Sequence, residues 1–175
     1  MKNIDKIINE FLQGSSILAY KKISDYVLEN PLDIKARYNM AIMEQKLGYI
    51  ERAIKNYVFI TTHDHEHVSA LNNLYLLHFK IKKYKQAIII INKLLIKDSK
   101  NCSWIRDKAL AMFSLKKSDE ALNLIISSLE INPKDYVAYN IKALILISLK
   151  KYTEAFDVIN KGLLFNKNYY PLINT

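Results

Sequence analysis

A short run of histidine and acidic residues is the part of this sequence whose side chains are best suited to chemistry. The run His63-Asp64-His65-Glu66-His67 contains three imidazoles and two carboxylates. Zinc and nickel accept neutral imidazole nitrogen, so such a group could hold one of these ions. His63 and His67 would share a face only if one helix continued through both. The repeat register described below makes this stretch a polar connector, so we assign no metal ligand to it.

Other signatures of catalysis are missing from the sequence. It contains no glycine-rich phosphate loop, no nucleophile elbow and no His-Glu-x-x-His motif. Its three glycines, Gly14, Gly48 and Gly162, leave little backbone that could cradle a phosphate. Cys102 is the single cysteine, which excludes an internal disulfide and fits a reducing compartment. We therefore expect a protein that is not an enzyme and needs no cofactor.

Composition favours an all-helical chain. Of 175 residues, 50% are hydrophobic, while glycine and proline contribute three residues each. A fold built from β-strands needs many tight turns, and this chain lacks the residues that form them. No apolar run is long enough to cross a membrane, and Asp5 and Glu10 interrupt any signal peptide. We expect a soluble, cytoplasmic protein that does not bind membranes. Its net charge of +9 makes polyanion binding worth testing.

The sequence repeats itself with a 34-residue period. Alanine recurs at this interval from one end of the chain to the other, at Ala19, Ala53, Ala87, Ala121 and Ala155. The triplet Lys108-Ala109-Leu110 returns one period later as Lys142-Ala143-Leu144. Such a period predicts a tandem array of one small structural unit.

Each repeat contains two blocks of apolar residues at helical spacing, separated by a short turn such as Lys150-Lys151. This pattern predicts a helix, a tight turn and an antiparallel helix. Neither helix can bury its apolar stripe alone, so neighbouring units must stack. We expect a single array over 1–169, with residues 170–175 as a C-terminal stub or the start of a further helix. The predicted units are 1–33, 34–67, 68–101, 102–135 and 136–169.

This pattern resembles the tetratricopeptide repeat, a 34-residue helix–turn–helix unit with small residues at its eighth and twentieth positions. In the second repeat, residues 34–67, these positions hold Ala41 and Ala53. The resemblance implies an all-α, right-handed superhelical solenoid whose first helices line a concave groove. It also implies a non-enzymatic protein–protein interaction scaffold or adaptor.

In the register of that family, positions 2, 5, 9 and 12 of each first helix face the groove. Several of these positions are apolar, although a stripe facing solvent has no packing reason to be so. Asparagines beside the stripe could bond the backbone of an extended or helical partner segment. Alternatively, the superhelix closes the groove on itself, or a further terminal helix fills it. The candidate groove residues are Tyr38, Ile42, Asn72, Leu76, Phe79, Arg106, Leu110, Phe113, Asn140, Leu144 and Ile147.

The family also suggests two other uses, which the residues support unequally. Members that clamp the terminal carboxylate of a chaperone carry Lys at position 5 and Asn at position 9 of one first helix. Here the corresponding pairs include Tyr38 with Ile42 and Arg106 with Leu110, so a chaperone clamp is not expected. As an alternative function, the array is the recruiting arm of a larger enzyme such as a glycosyl- or sulfo-transferase.

A second alternative rests on paired lysines in the turns of three successive units, which we call the basic edge. Such an edge could bind a polyanion with strongly salt-dependent affinity. It could equally be a set of solvated turns. No aromatic residues are interleaved with these lysines to stack on bases, so the sequence does not favour nucleic acid. The basic edge consists of Lys82, Lys83, Lys116, Lys117, Lys150 and Lys151.

Overall fold

A computed structural model of the chain describes residues 4–14 and 16–166. These residues form ten α-helices and no β-strand, so the all-α prediction is confirmed for the described part of the chain. The possible further helix at 170–175 lies outside the described residues. The helices are α1 (Ile4–Leu12), α2 (Ser16–Glu29), α3 (Ile34–Lys46), α4 (Ile50–His63), α5 (Val68–Lys80), α6 (Tyr84–Lys97), α7 (Cys102–Ser114), α8 (Ser118–Ile131), α9 (Tyr136–Ser148) and α10 (Tyr152–Phe165).

The period of the sequence is also the period of the helices. Helices α3, α5, α7 and α9 begin at residues 34, 68, 102 and 136, which are the first residues of the predicted units. None of the helices in the described ranges is long and apolar enough to span a membrane.

The residue before each of these four helices caps its N-terminus. A cap accepts a hydrogen bond from a backbone N–H that the helix itself cannot satisfy. Asp33 accepts from the Ala36 N–H at 2.9 Å, and Asp135 accepts from the Ala138 N–H at 3.1 Å. Asn101 accepts from the Trp104 N–H at 3.2 Å, and His67 accepts through Nδ1 from the Ala70 N–H at 3.2 Å. The caps therefore fix where each first helix starts.

The turns between the paired helices share one unusual backbone conformation. The residue that reverses the chain has a positive φ in each of them: Gly14 (φ 102°), Gly48 (φ 83°), Lys82 (φ 58°), Lys116 (φ 64°) and Lys150 (φ 61°). In the turn at Lys116, its N–H donates to the Phe113 carbonyl at 2.9 Å, and the Lys117 N–H donates to the Met112 carbonyl at 3.0 Å. Only glycine adopts this conformation without steric cost, so the three lysines are strained.

The helices fall into two compact units, one extending to Leu77 and the other beginning at His78, within α5. In the first unit, a core cluster is formed by α1, α2 and α3 around Ile7, Ile23 and Met40. In the second unit, Ile125, Ile141 and Ile145 belong to a cluster formed by α7, α8 and α9.

The repeated alanines are buried in the first turn or so of each second helix. Ala19, Ala53, Ala87, Ala121 and Ala155 are all at most 2% exposed. A short side chain at this point lets two helices approach closely, and the larger core residues pack around the crossing.

Candidate binding surface

Each histidine of the His63–His67 run has a local structural contact. Helix α4 ends at His63, whose ring stacks on Phe59 at 4.0 Å between centroids and whose Nδ1–H donates to the Phe59 carbonyl at 2.8 Å. The His65 Nδ1–H donates to the Thr61 carbonyl at 2.8 Å, and His67 caps α5. Within 4–14 and 16–166, no three His, Cys, Asp or Glu side chains are arranged to hold a metal ion.

In the first unit, the predicted groove residues differ in how far they are available to a ligand. The Tyr38 hydroxyl accepts a hydrogen bond from Asn73 Nδ2 at 3.2 Å, and its ring lies 4.9 Å from that of His67. Asn72 Nδ2 donates to the Val68 carbonyl of its own helix at 3.0 Å. Ile42 is half-buried, whereas Leu76 is 47% exposed. Leu76 is therefore the most accessible apolar member of this set.

In the second unit, the polar groove candidates serve the protein's own structure. Arg106 Nη1 donates to Asp135 Oδ2 at 2.7 Å, while the other carboxylate oxygen of Asp135 caps α9. Burial works to lower the pKa of Arg106, but its hydrogen bond to Asp135 and the nearby carboxylates outweigh burial and raise it. Asn140 is buried, and its Oδ1 has no hydrogen-bond partner among the described residues. These side chains join or fill the helical pairs instead of facing solvent.

The apolar groove candidates of the second unit are partly used in packing. Phe79 is half-buried and meets the Tyr84 ring edge-on at 5.6 Å. Leu110 and Phe113 are half-buried and pack against the core cluster of α7, α8 and α9. Leu144 and Ile147, their counterparts on α9, are half-buried as well. The predicted stripe is thus a row of half-exposed side chains.

The basic edge lies wholly in the second unit, and its lysines reach solvent in the turns. Lys117 forms an ion pair with Glu120 at 2.8 Å, and Lys151 forms one with Glu154 at 3.3 Å. Each pair joins the N-cap residue of a helix to the first turn of that helix, where such an exposed contact contributes little to stability. These glutamates offset part of the positive charge that the sequence predicts along the edge.

A buried polar network in the first unit is the main feature that sequence reasoning missed. Glu44 is only 2% exposed and accepts hydrogen bonds from the Tyr20 hydroxyl at 3.1 Å and from Asn56 Nδ2 at 2.7 Å. Asn56 Oδ1 in turn accepts from Arg37 Nη1 at 2.9 Å. The signal was the spacing of Glu44 four residues after Met40, which puts the carboxylate on the core face of α3.

Burial raises the pKa of Glu44, and the hydrogen bonds from Asn56 and Tyr20 offset part of that shift. The folded state therefore binds a proton at Glu44 more readily than the unfolded chain does. Stability contributed by this group declines as the pH rises through the interval between the unfolded and the folded pKa. We expect the wild type to gain free energy of unfolding relative to Glu44→Gln as the pH is lowered from 7 to about 4.5.

Urea denaturation of the two proteins across this pH range measures the difference directly. Asp25→Asn, on the neighbouring helix α2, is the control for the general effect of removing a carboxylate from this unit. A difference between wild type and Glu44→Gln that is constant with pH, or that moves in the opposite direction, would contradict the assignment.

Comparisons with known proteins agree with this architecture. The family model described as anaphase-promoting complex, cyclosome, subunit 3 matches residues 80–162, somewhat less than half of the chain. No curated protein matches the chain in sequence. Similar solved structures include residues 41 to the end of MamA from Desulfovibrio magneticus RS-1, with 16% identity and a TM-score of 0.84 over 94% of this chain and 93% of that one.

A MamA crystal structure has 17% identity and a TM-score of 0.83 over 95% of this chain and 96% of that one. MamA from AMB-1 has 17% identity and a TM-score of 0.78 over 95% and 91% of the two chains. These structures are helical tetratricopeptide-repeat solenoids. The chain therefore has the tetratricopeptide-repeat fold, and the resemblance stated from its sequence is confirmed at the level of the fold.

Proposed function

We propose that this chain is a non-enzymatic protein-interaction module of the cytoplasm, which binds an extended or helical segment of a partner protein on its first helices. The supporting observation is the row of apolar side chains that the first helices leave half-exposed. Leu110 on α7 and Leu144 on α9 occupy equivalent positions of successive 34-residue repeats, as do Phe113 and Ile147. Apolar side chains that remain partly exposed to water favour contact with a partner.

The partner's apolar side chains would supply most of the binding free energy at this row. Asn140 is buried and Arg106 is paired with Asp135, so polar contacts to a ligand backbone would come mainly from the exposed groups at the rim. In the first unit, Ile42 and Leu76 would make the equivalent apolar contacts. The binding energy would be concentrated in a few central side chains, as it is at most protein interfaces.

A photo-crosslinking amino acid placed at Leu144 tests this proposal. We expect it to capture a defined partner from the lysate of the source cell. The same amino acid at Ile89, an apolar residue of α6 that is 59% exposed, should not capture that partner. Ile89 is the matched control because it is apolar and exposed but lies on a second helix.

Substitution provides the second test. We expect Leu144→Glu combined with Ile147→Glu, both on α9, to reduce affinity for the captured partner at least tenfold, since each change places a charge where an apolar contact is lost. Ile89→Glu combined with Ile96→Glu introduces the same charges on α6 and should leave affinity unchanged. Circular dichroism checks that both variants keep their helices. Equal affinity in a folded Leu144→Glu/Ile147→Glu variant would exclude binding on this row of the first helices.

A further inference from the structure

A small cavity in the second unit, outside the row of groove candidates, has a combination of walls that suits a specific kind of ligand. It has a volume of about 240 Å³ and lies where α8, α9 and α10 meet. Ile126, Leu129 and Val158 supply apolar walls, and Leu129 and Val158 are themselves buried. Pockets for drug-sized ligands span roughly 300–1,000 Å³. The part of a ligand that enters this cavity must therefore be small.

Two lysines bring positive charge to this apolar cavity. Lys142 on α9 is half-buried, and Lys161 on α10 is exposed. Neither forms an ion pair with a carboxylate among the described residues. Burial lowers the pKa of Lys142, and the charge of Lys161 lowers it further, while Glu154 acts in the opposite direction. Two ammonium groups thus act on each other here with no carboxylate of the described chain paired to either.

The tyrosine wall of the cavity is held in place by its neighbours. The Tyr139 hydroxyl donates to the Pro133 carbonyl at 3.2 Å, and its ring stacks on Phe165 at 5.9 Å between centroids. Gly162 allows this arrangement, because a Cβ at that position would lie 3.0 Å from Tyr139 Cβ. A cavity with a fixed wall needs little reorganisation when a ligand enters.

The pair of lysines occurs where α8, α9 and α10 meet and is not repeated one period earlier in the sequence. Lys108 precedes Lys142 by one period, but the residue that corresponds to Lys161 is Ser127. Tyr139 likewise corresponds to Ile105, which is buried. The general architecture of the array therefore does not require this pair of lysines. Glu130 also borders the cavity.

We propose that this cavity binds a small organic carboxylate, with the carboxylate held by Lys142 and Lys161 and the apolar chain lying against Leu129 and Val158. A carboxylate accepts charge-assisted hydrogen bonds from both ammonium groups and removes their mutual repulsion. A chain of about five or six carbons fills the apolar part of the cavity and gains from leaving water.

Hexanoate is a suitable probe, and its binding to the full chain can be followed by calorimetry and by NMR titration. We expect a Kd of about 0.1–1 mM, as befits a ligand with so few atoms. Acetate, which lacks the apolar chain, and 1-hexanol, which lacks the charge, should each bind at least tenfold more weakly. Acetate or inorganic phosphate binding as tightly as hexanoate would overturn the proposal, because the apolar walls would then have no role.

Charge removal identifies the site. We expect Lys142→Gln and Lys161→Gln each to weaken hexanoate binding about five- to tenfold, and Lys108→Gln, at the equivalent position of the preceding hairpin, to leave it unchanged. Hexanoate should also raise the pKa of Lys142, which NMR of dimethylated lysines measures. Undiminished binding in a folded Lys142→Gln/Lys161→Gln variant would rule out the cavity as the site.

The source of the carboxylate is tested with a capped peptide that carries leucine beside glutamate. We expect this peptide to bind more weakly than hexanoate, since its backbone does not fit a cavity of this size. A peptide that binds as tightly as hexanoate would overturn the proposal of a small-molecule site. Because none of these probes is a protein partner of the first helices, their binding is independent of the interaction proposed above.

Discussion

Replacing Asp135 with alanine is expected to lower the free energy of unfolding by about 2–4 kcal/mol. The substitution removes the cap of α9 and the ion pair with Arg106 at the same time. A lost cap costs about 1 kcal/mol. The Arg106 side chain is only 20% exposed, so its charge would lose its shortest hydrogen bond while still largely screened from water. Urea denaturation followed by circular dichroism measures the loss.

Two further variants separate the contributions of the cap and the ion pair. Asp135→Asn keeps a good capping residue but removes the charge. Its free energy of unfolding should therefore lie between those of the wild type and Asp135→Ala. Asp33→Ala removes the cap at the equivalent position of the first unit, where the other carboxylate oxygen accepts from the Tyr26 hydroxyl instead of an arginine, and should cost about 1 kcal/mol. An Asp135→Ala protein as stable as Asp33→Ala would show that the Arg106 contact contributes nothing.

The triple substitution Lys82→Gly/Lys116→Gly/Lys150→Gly is expected to raise the free energy of unfolding by about 1.5–3 kcal/mol. Each lysine occupies a left-handed backbone conformation that costs about 1–2 kcal/mol for a residue with a Cβ. Glycine removes this strain but loses about 0.4–1 kcal/mol through the greater freedom of the unfolded chain. The three turns belong to different hairpins, so the gains should add. Thermal and urea unfolding measure the sum.

The control for lost charge is the corresponding triple alanine variant, which removes the same ammonium groups but keeps a Cβ in each turn. It should show no comparable gain. The reverse change, Gly48→Ala, should cost about 1 kcal/mol, because an added Cβ meets nothing within 4 Å and the backbone conformation alone opposes it. A triple glycine variant no more stable than the triple alanine variant would mean that these turns carry no strain.

The sequence was sufficient to predict the paired helices because their determinants are local and periodic. The alanine spacing, the apolar blocks and the short turns all recur with the same period, and the first helices from α3 onward begin at the predicted unit starts. The shared turn conformation was also visible in principle, since Gly14 and Gly48 stand in register with Lys82, Lys116 and Lys150.

The roles of individual polar residues were less predictable because their partners lie on other helices. Arg106 and Asp135 are 29 residues apart, and Glu44 bonds to residues of α2 and α4. A polar residue at a register position that suits a groove can instead bond within the protein, and periodicity does not distinguish the two outcomes. Periodicity alone therefore gave no sign that Arg106, one of the predicted ligand contacts, is in an ion pair or that Asn140, another, is buried.

The strained turns also affect how readily a protease can cleave the chain. A protease that cuts after lysine must draw several residues on each side into an extended conformation. At Lys116 this requires breaking the two backbone hydrogen bonds that close the turn, although the side chain reaches solvent. Cleavage there would depend on the population of opened hairpins and not on exposure. The rate of limited proteolysis at each of these lysines would thus report how often its own hairpin is open.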